Sequence, residues 1–284
     1  LPEEEAALTA ALLEQGWTES ATALNDTFAV LRAGLRPDRG EPAWGAAVTC
    51  GAGINCVAVA PDGRAFRYLS FGSLSGDLGG GGWLSEQVLW HAVRAEDGRG
   101  PATTLAALAA ERFGLASATE VTIAVHKGRL AREDLLPLTS VLLSAADAGD
   151  PVARSVVERQ ADEICALAVN ALRQLGILPP ASGEGPAASA DEPPTASGKR
   201  PSAATLVEGS AASPDCVPVV LGGGVLESRN PLLLSRIAEK LAVAAPRALP
   251  RVVDIPPVAG AALLGLDHVG ASPSAEHRLR EGYP

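Results

Sequence analysis

Three glycine-rich turns are the places in this sequence where chemistry is easiest to build: Gly51-Ala52-Gly53, Gly79-Gly80-Gly81-Gly82 and Gly222-Gly223-Gly224. Each lies directly against a predicted strand or helix. A turn of small residues lets several backbone N–H groups point at one spot without interference from Cβ atoms. A helix starting there adds partial positive charge, so phosphate oxygens are natural guests. Taken singly, a glycine triplet is also an ordinary tight turn. No GxxxxGK[ST] occurs, and no GxGxxG lies between a strand and a helix with an acid about twenty residues on, which disfavours P-loop and Rossmann sites. Cys50, Cys56, Cys165 and Cys216 are irregularly spaced with no CxxC pair, so they read as small buried hydrophobes and not as a zinc site or disulfide framework.

The elements that must hold these turns follow from hydrophobic spacing. Residues 3–15 carry acids in their first turn, Leu8, Leu12 and Leu13 on one face and Gly16 as a stop, which predicts a helix. A second helix is expected over 26–34. The runs 44–50 and 55–60 are apolar and β-branched and read as strands joined by the first glycine turn. Pro61-Asp62-Gly63 then signals a hairpin into a third strand, 64–71, making three consecutive antiparallel strands. A helix follows the second glycine run through Trp90 and Val93. A long one spans 151–176, opened by Pro151 after Asp150 and closed by Gly176. Residues 181–215 are almost wholly Ala, Ser, Gly, Pro, Thr and charges, without apolar periodicity, and are expected to be a disordered insertion. Strand 217–221, the third glycine turn, helix 231–244, strand 251–255 and helix 259–267 then follow the grammar of an α/β lobe.

Composition narrows the function classes. The 284 residues include 23 Lys+Arg and 33 Asp+Glu, a formal charge of −10. That length allows one large domain or two small ones and excludes collagen-like, coiled-coil and disulfide-scaffold classes. An acidic surface without a basic run repels nucleic-acid backbones and anionic lipid. No stretch approaches the ~20 apolar residues of a membrane span, and no signal peptide opens the chain, so the expected location is cytoplasmic. There is no Met, and the chain begins Leu1-Pro2-Glu3, which reads as a sequence without its natural start.

In order along the chain, LNDTFAVLRAG (24–34), VTCGAGINCVAVAPDG (48–63), SGDLGGGG (75–82), RAEDGRGPATTL (94–105) and VPVVLGGGVLES (217–228) resemble the superfamily of sugar kinases, actin and heat-shock ATPases. Within it they resemble the N-acetylglucosamine kinase and BadF/BadG/BcrA/BcrD-type ATPase family. The resemblance implies a ribonuclease-H-like two-lobed α/β fold. Residues 1–44 would then be a remnant of the first lobe and 45–284 the second lobe, carrying the insertion. It also implies ATP and Mg²⁺ as cofactors, a sugar as substrate and Asp26 as the general base on the sugar hydroxyl. Asn55 and Asp77 would contact sugar hydroxyls. Gly51, Ala52 and Gly53 correspond to the second phosphate motif, and Gly222, Gly223 and Gly224 to the adenosine motif.

Phosphoryl transfer needs chiefly positioning, charge stabilisation and a carboxylate to take the nucleophile's proton, and Asp26 at a helix start is placed for that. The alternatives from the residues alone stay open. Asp26 could be a helix-terminal acid, Asp77 an Asx-turn or cap, and Asn55 the closure of the hairpin.

The chain departs from the family at three points. The opening DGGxTKT strand and hairpin has no counterpart here, the GTGS turn reads Gly51-Ala52-Gly53-Ile54, and no GWG precedes Gly76-Asp77. Trp83 follows the glycine run and is not carried over as a substrate residue, while His91 and His126 read as surface or helix residues. Three functions remain on the table: an amino-sugar kinase, a dehydratase-activator type ATPase, and a non-catalytic nucleotide- or sugar-binding protein. A homodimer through the second lobe is compatible with all of them.

Overall fold

The computed structural model describes residues 1–180 and 216–283; the expected insertion 181–215 lies outside the described residues. The first glycine turn joins β1 (Gly45–Cys50) to β2 (Ile54–Val59) as an antiparallel hairpin, with Cys50 opposite Ile54 and Thr49 opposite Asn55. β3 (Ala65–Arg67) pairs antiparallel with β2, completing the three expected strands. It is shorter than the predicted 64–71, because the chain bends away at Ser70, a left-handed residue with φ of 58°. β4 (Val217–Gly222) runs parallel to β1 on its other side, and β5 (Ala248–Val252) parallel to β4, giving one sheet in the order β3-β2-β1-β4-β5. β5 begins at Ala248, ahead of the predicted 251, and takes Pro250 into the sheet. Proline argues against a strand in general, but β5 is an edge, where a missing N–H costs no ladder bond.

Both faces of the sheet are covered, so strand residues alternate between two cores. Ala47, Val57 and Val220 point to one side, with Val30, Leu31, Ala259 and Leu263. Ala46, Val48, Cys56, Ala58, Val219 and Leu221 point to the other. The first side is closed by α2 (Asp26–Gly34) and α10 (Pro257–His268). These two helices approach closely enough that a Cβ on Gly260 would sit 1.9 Å from the Ala29 carbonyl oxygen. The second side is closed by α7 (Pro151–Gln174) and α9 (Pro231–Ala244). Beyond α7 pack α3 (Gly80–Glu96), α4 (Leu105–Phe113), α5 (Ala118–His126) and α6 (Leu138–Asp147). The short α8 (Gly224–Glu227) follows β4, while α1 (Pro2–Glu14) and α11 (Pro273–Glu281) stand near the ends of the chain. α4, α5, α6 and α11 go beyond the predicted elements. The buried face of α4, for example, is Leu105, Ala109 and Ala110, which gives little hydrophobic contrast to read.

Buried polar groups fasten the outer helices. Arg280 of α11 donates to the carbonyls of Ala33 (2.9 Å) and Leu35 (2.6 Å), satisfying groups that the end of α2 would leave orphaned. Arg32 on α2 reaches Asp267 at 2.7 Å and Glu276 at 2.9 Å. Cys50, Cys56 and Cys165 are buried, as expected, whereas Cys216, just ahead of β4, is only partly buried; burial pushes the Cys50 thiol up to about 12.

The densest polar joint is Asp150, the N-cap of α7. One of its oxygens accepts from the N–H groups of Val152 and Ala153, both at 2.9 Å. The other accepts from the Thr103 hydroxyl (2.9 Å), the Thr104 N–H (2.7 Å) and the Thr104 hydroxyl (2.8 Å). Burial by itself would raise this carboxyl, but the donors from Ala153, Thr104 and Thr103 outweigh it and hold the pKa at about 2, against an ordinary 3.8. A lowered folded-state pKa contributes stability that is present above the unfolded value and lost as pH falls through the folded one, here roughly 2 kcal/mol. Asp150→Ala should therefore lower urea-unfolding stability by roughly 2–3 kcal/mol at neutral pH, and the gap to wild type should shrink between about pH 5 and pH 2. A gap that stays constant over that range would show that the carboxylate charge is not what α7 depends on.

Candidate active site

The carboxyl ends of β1 and β4 lie side by side with Thr49 opposite Gly222, and β2 starts next to them with Asn55 opposite Thr49. Ligands of α/β sheets bind beyond the carboxyl ends of the strands. Two side-chain bridges dock the N-terminus of α2 onto this end. Asn25, the N-cap, accepts from the Thr27 N–H at 3.1 Å and from Asn55 Nδ2 at 3.0 Å. The fully buried Thr27 shares a hydroxyl contact of 3.2 Å with Thr49. The facing pair Thr49 and Asn55 on the hairpin is thus matched by Thr27 and Asn25 on the helix.

This arrangement leaves Asp26 exposed at the first position of α2. The capping role belongs to Asn25, and the Asp26 carboxylate forms no hydrogen bond or ion pair among the described residues. It borders a cavity of about 800 Å³ whose walls are Thr18 and residues 20–25 on one side and α10, including Ala261, Leu264 and His268, on the other. That size suits a small-molecule ligand.

Asn55 and Asp77 do not line this cavity. The Asn55 amide is engaged by the protein: Nδ2 donates to Asn25, and Oδ1 accepts from the Cys56 N–H at 2.7 Å and from the Ser70 hydroxyl. Asp77 is buried at 6 % exposure, its N–H donates to the Gly72 carbonyl at 3.0 Å, and its carboxylate accepts from the Ser75 hydroxyl. Both residues therefore shape the segment 70–77 beside the hairpin.

The three glycine turns have different reasons for being glycine. The run 79–82 is a joint. Gly81 and Gly82 donate to the carbonyls of Gly51 (2.7 Å) and Ala52 (2.9 Å), and Gly80 donates to Gln160 Oε1 (3.1 Å), so the first N–H groups of α3 are spent on the protein. A Cβ on Gly80 would meet the Gly53 backbone at 2.4 Å. Gly222 abuts Val30. Gly223, with φ of 87°, abuts the Cys50 backbone at 2.7 Å and donates its N–H to Glu227 at 2.8 Å.

Gly51, Gly53 and Gly224 are different: a Cβ at any of them would meet nothing within 4 Å, and none has a left-handed φ. Neither packing nor backbone conformation asks for glycine there. The N–H groups of Ala52 and Gly53 donate to no group among the described residues. The turn thus presents two adjacent neutral backbone donors open to an acceptor from outside, such as an anion.

Thr27, Thr49, Ser70 and Gln160 belong to the site but were not singled out from the sequence. Writing the hairpin register around Gly51-Ala52-Gly53 would have found Thr49 opposite Asn55. Nothing local marks Glu5, which accepts from the Asn25 N–H at 2.8 Å and from Arg67 at 2.6 Å and so ties α1 to the start of α2.

No protein-family model and no curated protein matches the sequence. Among solved structures, a provisionally named N-acetylglucosamine kinase from Chromobacterium violaceum superposes with a TM-score of 0.55 at 21% identity, over 90% of this chain and 70% of that one. A second provisionally named N-acetylglucosamine kinase, from Porphyromonas gingivalis, superposes with a TM-score of 0.52 at 16% identity, over 86% of this chain and 65% of that one. At these identities the likeness establishes the fold, the α/β architecture shared by sugar kinases and actin-type ATPases.

The two kinds of glycine should separate on substitution. Gly223→Ala should cost roughly 2 kcal/mol or more in urea unfolding, whereas Gly51→Ala and Gly53→Ala should leave stability unchanged or raised by up to about 1 kcal/mol. Equal losses at all three positions would remove the argument that Gly51 and Gly53 are free of structural duty.

Proposed function

We propose that this chain is an ATP-dependent kinase of the sugar-kinase type, transferring a phosphoryl group to a hydroxyl of an amino sugar of the N-acetylglucosamine kind, with Asp26 as general base. One arrangement carries this reading. An exposed, unpaired carboxylate stands at the start of α2, which Asn25 and Thr27 fasten to a hairpin whose Gly51 and Gly53 face open space.

ATP would supply the transferable phosphoryl group, with Mg²⁺ accompanying it to offset phosphate charge; no residue of this chain is assigned to the metal. The Ala52 and Gly53 N–H groups would hold phosphate oxygens, and Gly224, open at its Cβ position, lets the nucleotide pass close to the backbone after β4. Asp26 accepts the proton of the attacking sugar hydroxyl, so the nucleophile gains charge as it needs it. Because Asp26 shares its helix start with the clamp to Thr49 and Asn55, the base and the phosphate turn keep a constant separation, which is the positioning such a transfer requires. Asn55 and Asp77 would meet the sugar by exchanging their contacts to Ser70 and Ser75 for substrate hydroxyls. The amino-sugar class rests on the motif series alone.

The dehydratase-activator alternative needs cysteines able to hold an iron–sulfur cluster. Cys50, Cys56 and Cys165 are instead packed in the core, and the described residues contain no group of three or more His, Cys, Asp and Glu side chains placed to hold a metal. The observations therefore favour phosphotransfer.

An ADP-release assay across hexoses and hexosamines is the direct test. ATP consumption dependent on one of these sugars is expected, and Asp26→Asn should lower kcat by about 10²–10⁴ while nucleotide affinity stays within about twofold. No sugar-dependent turnover would overturn the kinase reading; full turnover by Asp26→Asn would overturn the base.

A further inference from the structure

A second concave surface lies on the helical layer and shares no lining residue with the cavity at Asp26. Residues of α3 and α5, with Arg99, Arg132 and Leu135, enclose a pocket of about 420 Å³. Its apolar lining is Leu89, Val93, Val125 and Leu135, joined by Trp90, which is 52% exposed. Its charged lining is Arg94, Arg99 and Arg132 against a single acid, Glu86, with His126 beside them. On a chain of net charge −10, this concentrates positive charge in one concavity.

The three guanidinium groups are not equivalent. Arg99 pairs with Asp97 and Arg132 with Glu86, each at 2.6 Å, and both pairs are solvent-exposed, so they exchange partners at little cost. Arg94 is half-buried, lies over the Trp90 ring at 4.4 Å and donates to the Arg99 carbonyl at 3.0 Å. It has no carboxylate partner among the described residues. A planar guanidinium held against an indole is pre-set in direction and keeps donors for a forked contact with an oxyanion.

We propose that this pocket binds a phosphate monoester carried on a compact ring-bearing body. With Glu86 in the lining and Asp97 on Arg99, the three arginines leave an excess of one positive charge, and a phosphomonoester of roughly −1.5 to −2 at neutral pH would displace these two exposed carboxylates from their guanidinium groups. The apolar lining and the exposed indole take the body. Inorganic phosphate would meet the arginines and leave the apolar lining wet. A sugar phosphate and a nucleoside monophosphate share the required chemistry. The inference does not depend on the kinase reading, since it concerns a different surface.

Calorimetric titration of the full chain with inorganic phosphate, AMP and glucosamine 6-phosphate tests it. At least one ester should bind one to one with a Kd below about 1 mM, tighter than inorganic phosphate and weaker at raised salt; the tighter of the two esters identifies the body. Arg94→Gln should weaken that binding at least about tenfold and Arg132→Gln by less, with thermal midpoints within about 2 °C of wild type. Arg39→Gln, outside the pocket, should leave it unchanged. The proposal fails if neither ester binds saturably, if the esters bind no tighter than inorganic phosphate, if Arg94→Gln binds as wild type does, or if Arg39→Gln weakens binding as much as Arg94→Gln.

Discussion

Close approach of packed elements to bare backbone, possible only where a Cβ is absent, is the constraint on which this architecture depends. Gly260 lets α10 lie on the Ala29 carbonyl, Gly222 and Gly34 let α2 and β4 meet, and Gly80 lets α3 start against the hairpin at Gly53. Each contact joins elements from distant parts of the chain. Interiors pack at crystal-like density, so a methyl group at any of these joints displaces whole elements instead of a single side chain.

Once the elements are that close, short polar side chains can finish the assembly. Asn25 and Thr27 span to Asn55 and Thr49 without intervening groups, and Thr27 is fully buried, so its hydroxyl must be paired. The same geometry explains why Asp26 is free. The cap position is already occupied by its neighbour, and the next residue along a helix points outward when the residue after it points in. Asp26 is thus an acid without a local structural task, on a helix start that is fastened to the hairpin.

Charge is distributed to match. The chain is acidic overall, and the open donors of its hairpin turn are neutral backbone N–H groups. The buried arginines serve structure: Arg280 closes the carbonyl end of α2, and Arg32 joins it to Asp267 and Glu276. Arg94, held against Trp90 and without an ion-pair partner among the described residues, is a different case.

Much of this was legible in the sequence. The three antiparallel strands, the Asp150-Pro151 start of α7, the buried cysteines and the position of Asp26 on a helix all follow from periodicity, turn residues and capping rules, because those signals are local. The sequence could also mark Gly51, Gly53 and Gly222–224 as notable, without saying which served a ligand and which served packing. The tertiary structure decided which of them packing requires, since that depends on what lies within 4 Å of a missing Cβ, and those neighbours come from Val30, Cys50 and Gly53 in other elements. It also decided that Asn55 is held by Asn25 and Ser70, that Pro250 lies in an edge strand, and that Glu5 braces the start of α2. Local sequence sets what each element can be; contacts between residues far apart in the chain set what each residue is for.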